Sequence, residues 1–205
     1  MKILTVSDFI EPMLGERTAS RRLSEVQLIF SCGDLPPEYL THLRSVFNVP
    51  LYYVRGNHDI RYRTSPPEGC ENIHARLVQF RGLRILGLEG SRWYSGGPYQ
   101  YNESEMRRTI RRLRPLLWWH RGVDIVLAHS PLRHVRDAED PCHRGFRSFH
   151  WLIRKYAPRY FIHGHIHASF ADPAERVVLL HNTRVINSCG YHLLEIEDED
   201  EKMDR

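Results

Sequence analysis

Apolar residues fall in short dense runs along the chain instead of in long stretches. Residues 3–6, 26–31, 51–54, 123–127 and 160–162 are rich in β-branched and aromatic side chains, and each run is closed by polar residues. This is the pattern of strands buried on both faces. Helical spacing lies between some of them. Residues 36–47 place Pro36 or Pro37 in a first turn and set Leu40, Leu43 and Phe47 on one face. Residues 104–118 carry the stripe Met106, Ile110, Leu113 and Leu117, with Pro115 expected to kink or end the helix, and residues 146–156 read as a third helix. Residues 77–88 read as two strands around an Arg81-Gly82 turn. Residues 177–196 read as antiparallel strands divided at Asn182-Thr183 and at Cys189-Gly190. Strands this apolar need cover on both faces, so the pattern predicts a mixed α/β chain with two central sheets flanked by helices.

Length and composition narrow this picture. A chain of 205 residues, 41% hydrophobic, fits one domain over residues 1–196, with residues 197–205 expected to form a solvated acidic tail. No apolar run approaches the ~20 residues that span a bilayer, and the first strand runs straight into Ser7-Asp8 instead of a signal-peptide core. Cys32, Cys70, Cys142 and Cys189 are scattered without a Cys-x-x-Cys pair, which fits free thiols in a reducing cytoplasm. The net charge of +4 includes the acid-rich terminus, so the rest of the chain is more basic than that figure. A basic body suits anionic substrates such as phosphate esters; arginine-rich solubility is the competing reading.

Polar residues that end the five strands carry the chemistry. Asp8 follows the first run and Gly33-Asp34 the second. Gly56-Asn57-His58-Asp59 follows the third, His129 the fourth, and His163-Gly164-His165-Ile166-His167 closes the fifth. The carboxyl ends of parallel strands share a crevice, which would gather carboxylates, an amide and imidazoles in one place. Mixed nitrogen and oxygen donors suit manganese, iron, zinc or cobalt better than magnesium alone. Gly33, Gly56 and Gly164 each precede a candidate ligand where the backbone must turn closely past the site.

The ordered series Asp8, Gly33-Asp34, Gly56-Asn57-His58-Asp59, His129 and Gly164-His165-x-His167 resembles the signature of the calcineurin-like metallophosphoesterases. That resemblance implies a four-layer αββα sandwich of two mixed sheets between helices. It also implies two divalent metal ions, Asp34 bridging them, with Asn57, His129 and His165 completing the second site and Asp8 and His167 holding the first. The activity implied is hydrolysis of phosphomonoesters or phosphodiesters by a metal-bound hydroxide, two metals about 3.5–4 Å apart making a covalent nucleophile unnecessary. His58 is then expected beside the leaving oxygen, with Asp59 orienting its ring and keeping it protonated.

One motif departs from the family. Its usual Asp-x-His reads Asp8-Phe9-Ile10 here, and Ile10 has no donor atom, so the first site is expected to be weakly filled unless Glu11 reaches back to it. Two loops are candidate site walls. Residues 90–101 mix aromatics, glycines and Arg92, and residues 131–145 follow His129 directly and offer Arg133 and His143 for a phosphate oxygen. His163 is read as a neighbour of the ligands, not a ligand itself. Arg107, Arg108, Arg111, Arg112 and Arg114 occupy the polar side of a helix, which reads first as a solvated face and second as a nucleic-acid track. The alternatives to a small-ester hydrolase are accordingly a nuclease and a non-catalytic scaffold that keeps the fold for a protein partner.

Overall fold

The computed structural model describes residues 1–16 and 18–196; the expected acidic tail, residues 197–205, lies outside them. The chain runs through β1 (Lys2–Ser7), two single-turn helices α1 (Pro12–Gly15) and α2 (Ala19–Arg22), β2 (Val26–Ser31), α3 (Pro37–Phe47), β3 (Leu51–Tyr53) and the short β4 (Glu71–Asn72). It continues through β5 (Leu77–Phe80), β6 (Leu83–Leu88), the two-residue strands β7 (Ser91–Arg92) and β8 (Gln100–Tyr101), α4 (Glu103–Arg112), α5 (Arg114–Trp119) and β9 (Ile125–Ala128). Last come α6 (Ser148–Tyr156), β10 (Tyr160–His163), β11 (Val177–Leu180), β12 (Thr183–Asn187) and β13 (Gly190–Glu195).

Two mixed sheets result, in the orders β13-β1-β2-β3-β4 and β11-β12-β10-β9-β6-β5. Alternation along each central strand explains why they stack. Leu28 and Phe30 of β2, Ile125 and Leu127 of β9, and Tyr160 and Ile162 of β10 all enter one core between the sheets. Their neighbours turn outward. Val26 and Ile29 meet Leu40, Leu43 and Phe47 of α3, whereas Val126, Ala128 and Phe161 meet Met106, Ile110, Leu117, Phe149 and Leu152 on α4, α5 and α6. Helices, sheet, sheet and helices therefore form four layers, as the double-sided apolar strands require.

One expectation is refined and one needs correction. The interruption expected at Pro115 within residues 104–118 falls at Leu113, dividing the segment into two helices, and Pro115 occupies the first turn of α5, where its missing N–H would have had no partner. The junction at Cys189-Gly190 is not a hairpin. The strands β11 and β12 do pair antiparallel, but β13 leaves for the other sheet and pairs antiparallel with β1. Burial decides this, because Leu194 and Ile196 are needed in the core between the sheets.

The strands β1, β2 and β3 are mutually parallel in one sheet, and β6, β9, β10 and β12 in the other. Their carboxyl ends thus open on the same end of the sandwich, and the polar strand-end segments share one crevice.

Candidate metal centre

Three of the strand-end residues hold backbone conformations that side chains rarely adopt: Asp8 has φ 66°, Asp34 φ 57° and His165 φ 67°. Such strain persists where the surrounding contacts over-determine it, and here the contacts tie neighbouring strand ends within each sheet and, through Asp8 and His165, one sheet to the other. The N–H of Asp8 donates to the carbonyl of Gly33 at 3.2 Å, and that of Gly164 to the carbonyl of His129 at 3.0 Å. The N–H of His165 donates to both carboxylate oxygens of Asp8, at 3.0 and 3.2 Å.

Side-chain space is equally tight. A Cβ added at Gly56 would lie 2.0 Å from Asp34 Oδ1, and one at Gly164 would lie 1.9 Å from Ser7 Oγ and 2.7 Å from Asp8 Oδ2. Only glycine lets the backbone pass this close to the carboxylates.

His129 is fully buried at the centre. Its Nδ1 lies 2.7 Å from the carbonyl of Cys32, while its Nε2 lies 3.0 Å from Asn57 Oδ1 and 3.3 Å from Asp34 Oδ2. The amide of Asn57 is held in that sense because its Nδ2 donates to Tyr94 Oη at 3.1 Å. A neutral imidazole has one N–H. With it directed at Cys32, a nitrogen lone pair and two oxygens would face one another across a small gap, so the arrangement calls for positive charge there, either a proton on Nε2 or a metal cation. Burial alone would lower the His129 pKa, but the charge and hydrogen bond of Asp34, with the Asp8 charge and the Cys32 carbonyl, lift it to about 9. For Asp34, burial acts upward and is outweighed by His129 and by the His58 N–H, so its carboxyl sits at about 2. The pocket selects positive charge at this point, and a divalent cation supplies it without protonating a ligand.

His165 completes the group, its donor atom lying within 4.8 Å of those of Asp34 and His129. The ring is buried, its Nε2 is 2.8 Å from the carbonyl of Cys142, and burial followed by the His129 charge presses its pKa down to about 3. A carbonyl on one ring nitrogen leaves the other free for a metal, the arrangement that fixes ligand tautomers in metal sites. Asp8 and His167 stand beside this group: the Asp8 side chain is wholly buried, and His167 Nε2 lies 3.6 Å from its Oδ1 on a half-exposed ring. The residues present thus fit a divalent cation among Asp34, Asn57, His129 and His165, with Asp8 and His167 adjacent.

The sequence model of the calcineurin-like phosphoesterases matches residues 3–169, which span this whole constellation. The chain belongs to that family. No curated protein matches the sequence. Among solved structures, TT1561 of Thermus thermophilus is similar over 94% of this chain and 93% of its own, with TM-score 0.64 at 16% identity. The calcineurin-like phosphoesterase YfkN of Bacillus subtilis matches 97% of this chain and 86% of its own, with TM-score 0.57 at 13% identity. GAP50, the anchor in the inner membrane complex of Plasmodium, matches 91% of this chain and 70% of its own, with TM-score 0.55 at 13% identity. At these identities the likeness is one of fold. Among the described residues no helix is long and apolar enough to cross a membrane.

Within this phosphoesterase frame the remaining candidates divide. His58 is exposed, its backbone N–H donates to Asp34 Oδ1 at 2.8 Å, and its ring makes no hydrogen bond among the described residues. Asp59 has a different task from the one expected. Its Oδ2 accepts the N–H groups of Gly56 at 2.7 Å and Asp34 at 2.9 Å, so it braces the two ligand loops instead of orienting the His58 ring. Burial, then the charge of Asp34, raises its pKa to about 7.

His143 reaches the centre: its ring centroid is 5.1 Å from that of His165 and 6.4 Å from that of His167, and its Nδ1 is held by Asp140 at 2.9 Å. Arg133 is engaged by acids of its own loop. Its guanidinium donates to Asp137 at 2.7 Å and Glu139 at 2.6 Å, because both acids lie on the same loop within reach. Ile10 is half exposed, and Glu11 turns away towards β13, its Oε1 lying 2.8 Å from where a Cβ of Gly190 would stand. Among the described residues Glu11 joins no cluster of three donor side chains.

Two contributors escaped the sequence reading. Tyr94 lies in the aromatic loop marked as a site wall, but nothing in the sequence separated it from Trp93, Tyr99 or Tyr101. Cys142 groups with His143 and His165 as donors within 4.8 Å of one another; its adjacency to His143 was the available signal. All four cysteines are free. His163 is buried beside the ligands, with Nδ1 2.9 Å from the Gly164 carbonyl.

Proposed function

We propose that this protein hydrolyses phosphomonoesters or phosphodiesters at a metal centre held by Asp34, Asn57, His129 and His165, with a weaker neighbouring position at Asp8 and His167. The observation that carries the reading is the convergence of His129 Nε2, Asn57 Oδ1 and Asp34 Oδ2, with His129 Nδ1 set against the Cys32 carbonyl and Asn57 Nδ2 donating to Tyr94. When bound, a borderline divalent cation such as manganese, iron, zinc or cobalt would polarise a phosphoryl oxygen and lower the pKa of water.

The chain's own residues do the rest. Asp34 presents Oδ2 towards His129 while Oδ1 is tied to the His58 N–H, so the carboxylate is fixed between the two sheets. Asp59 holds the loops that carry Asp34 and Asn57 in register. His58, exposed and with no hydrogen bond to its ring among the described residues, is placed to give a proton to the leaving oxygen or to stabilise its charge. His143 and Tyr94 flank the substrate side, and Ile10 removes a donor from the first position.

The test is hydrolysis of p-nitrophenyl phosphate and its bis ester by the manganese-loaded protein, alongside metal content. Turnover that falls at least about a hundredfold in His58→Ala with metal retained supports the roles given. Metal-loaded protein without activity on either ester overturns the hydrolase reading.

A further inference from the structure

The arginine stripe of α4 is not only a solvated face. Arg107, Arg111 and Arg114 form one wall of a cavity of about 550 Å³ between α4–α5 and α6, whose other wall carries Arg147, Ser148 and Trp151. A second cavity of about 500 Å³ shares Arg111 and Arg114 and adds Trp118, Lys155 and Tyr156. At the other end a third, of about 280 Å³, shares Glu103 and Arg147 with the first and reaches Arg144 and Gly145. The three join into one groove. It leads to the end of the loop that holds His143 against His165.

Most of the positive charge in this groove is unpaired. Among the described residues Arg107, Arg111, Arg114, Arg147 and Lys155 make no side-chain ion pair. The nearby carboxylates are used elsewhere: Glu105 closes the α4 capping box with Asn102, and Glu103 accepts Arg92 and the N–H groups of Arg147 and Ser148. Aromatic faces alternate with these cations. The Arg114 guanidinium sits 5.9 Å over the Trp151 ring, and Trp118 is 77% exposed, which is costly for an indole without a partner. Guanidinium groups lining a concave track with aromatic rings between them match a flexible phosphodiester chain whose bases stack.

We infer that the α4–α5/α6 groove binds single-stranded nucleic acid and delivers it to the metal centre, which makes a polynucleotide the substrate class. This rests on the phosphoesterase reading for the delivery but not for the binding. An anionic membrane surface would also meet arginines and exposed tryptophans. The concavity of the track and its end at Arg144 and Gly145, on the loop that carries His143, favour the polynucleotide.

The experiment is fluorescence anisotropy of the purified protein with a labelled phosphorothioate oligothymidylate of about 15 nucleotides, which resists cleavage, across a salt series. Binding should weaken steeply with salt. In Arg107→Ala/Arg111→Ala the affinity should drop at least about tenfold, with the log–log salt slope shallower by about 0.7 per guanidinium removed. Trp118→Ala should lose about fivefold or more. All three positions are exposed, and unchanged thermal unfolding verifies that the variants fold. No binding at low salt, binding indifferent to the arginine pair, or an unchanged Trp118→Ala overturns the proposal. So does capture by phosphatidylserine vesicles that the oligonucleotide fails to displace. Protein that cleaves the bis-p-nitrophenyl ester but ignores the oligonucleotide keeps the hydrolase reading and loses this one. Protein that binds the oligonucleotide yet hydrolyses no ester does the reverse.

Discussion

The carboxylate of Asp59 accepts the backbone N–H of Asp34 at 2.9 Å, and with the same oxygen that of Gly56 at 2.7 Å. One buried side chain thereby fixes the distance between two ligand loops that are separate in sequence. In Asp59→Ala both donors lose their acceptor, which is expected to cost about 3 kcal/mol of stability and to weaken metal binding. Denaturant unfolding and calorimetric metal titration check this; a loss below about 0.5 kcal/mol would show that the brace is dispensable.

Tyr94 positions Asn57 for the proposed metal centre. Its hydroxyl oxygen takes the Asn57 Nδ2–H at 3.1 Å and so keeps Oδ1 facing His129. Tyr94→Phe removes that acceptor and frees the amide to rotate. Metal affinity is expected to fall about tenfold, read by competition with a chromogenic chelator, with stability nearly unchanged.

Gly56→Ala is expected to be far more damaging than its size suggests. The added methyl would stand 2.0 Å from Asp34 Oδ1 and 2.7 Å from His129 Cε1, so the Asp34 carboxylate or the loop must move. The expected result is a loss of about 2 kcal/mol or more in stability together with measurable metal binding. A variant that unfolds at the wild-type denaturant midpoint and binds metal normally would contradict the packing described.

The buried His163 makes the metal-free protein acid-sensitive. Burial lowers its pKa from 6.5 to about 4. Between those values the unfolded chain takes up a proton that the folded chain refuses, so this contribution is present above pH 6.5 and is lost as pH falls towards 4. The loss is about 3 kcal/mol. His163→Leu should flatten the corresponding part of the stability profile, measured by denaturant unfolding from pH 4 to 7; parallel profiles for variant and wild type would assign the acid sensitivity elsewhere.

Ile10 stands half exposed where the family places a donor, and Glu11 is turned towards β13. Calorimetry should therefore resolve one tight and one weak metal. Ile10→His should tighten the weak event about tenfold or more at little cost in stability. Two equally tight sites in the wild-type chain would remove the basis for this prediction.

Much of the fold was legible because β1, β2, β9 and β10 are apolar on alternate and intervening positions alike, and such strands have to be covered on both sides. The candidate ligands could be named because each follows a strand end, where chain order itself fixes position. Other features had no local signature. The transfer of β13 to the far sheet depends on where Leu194 and Ile196 find a core, and the role of Asp59 depends on a loop 25 residues away. The type of Arg133 suits phosphate, but only the fold shows that Asp137 and Glu139 lie within its reach.

The sequence by itself determined the layered α/β architecture, the family and the set of donors at the strand ends, since these follow from periodicity and from residue type at fixed points along the chain. Only the tertiary structure decided which ring nitrogen of His129 faces the metal position, which residues hold its neighbours still, and that the arginines of α4 line a groove with α6. Those are relations between segments far apart in the chain, and distance across a core leaves no periodic trace in the order of residues.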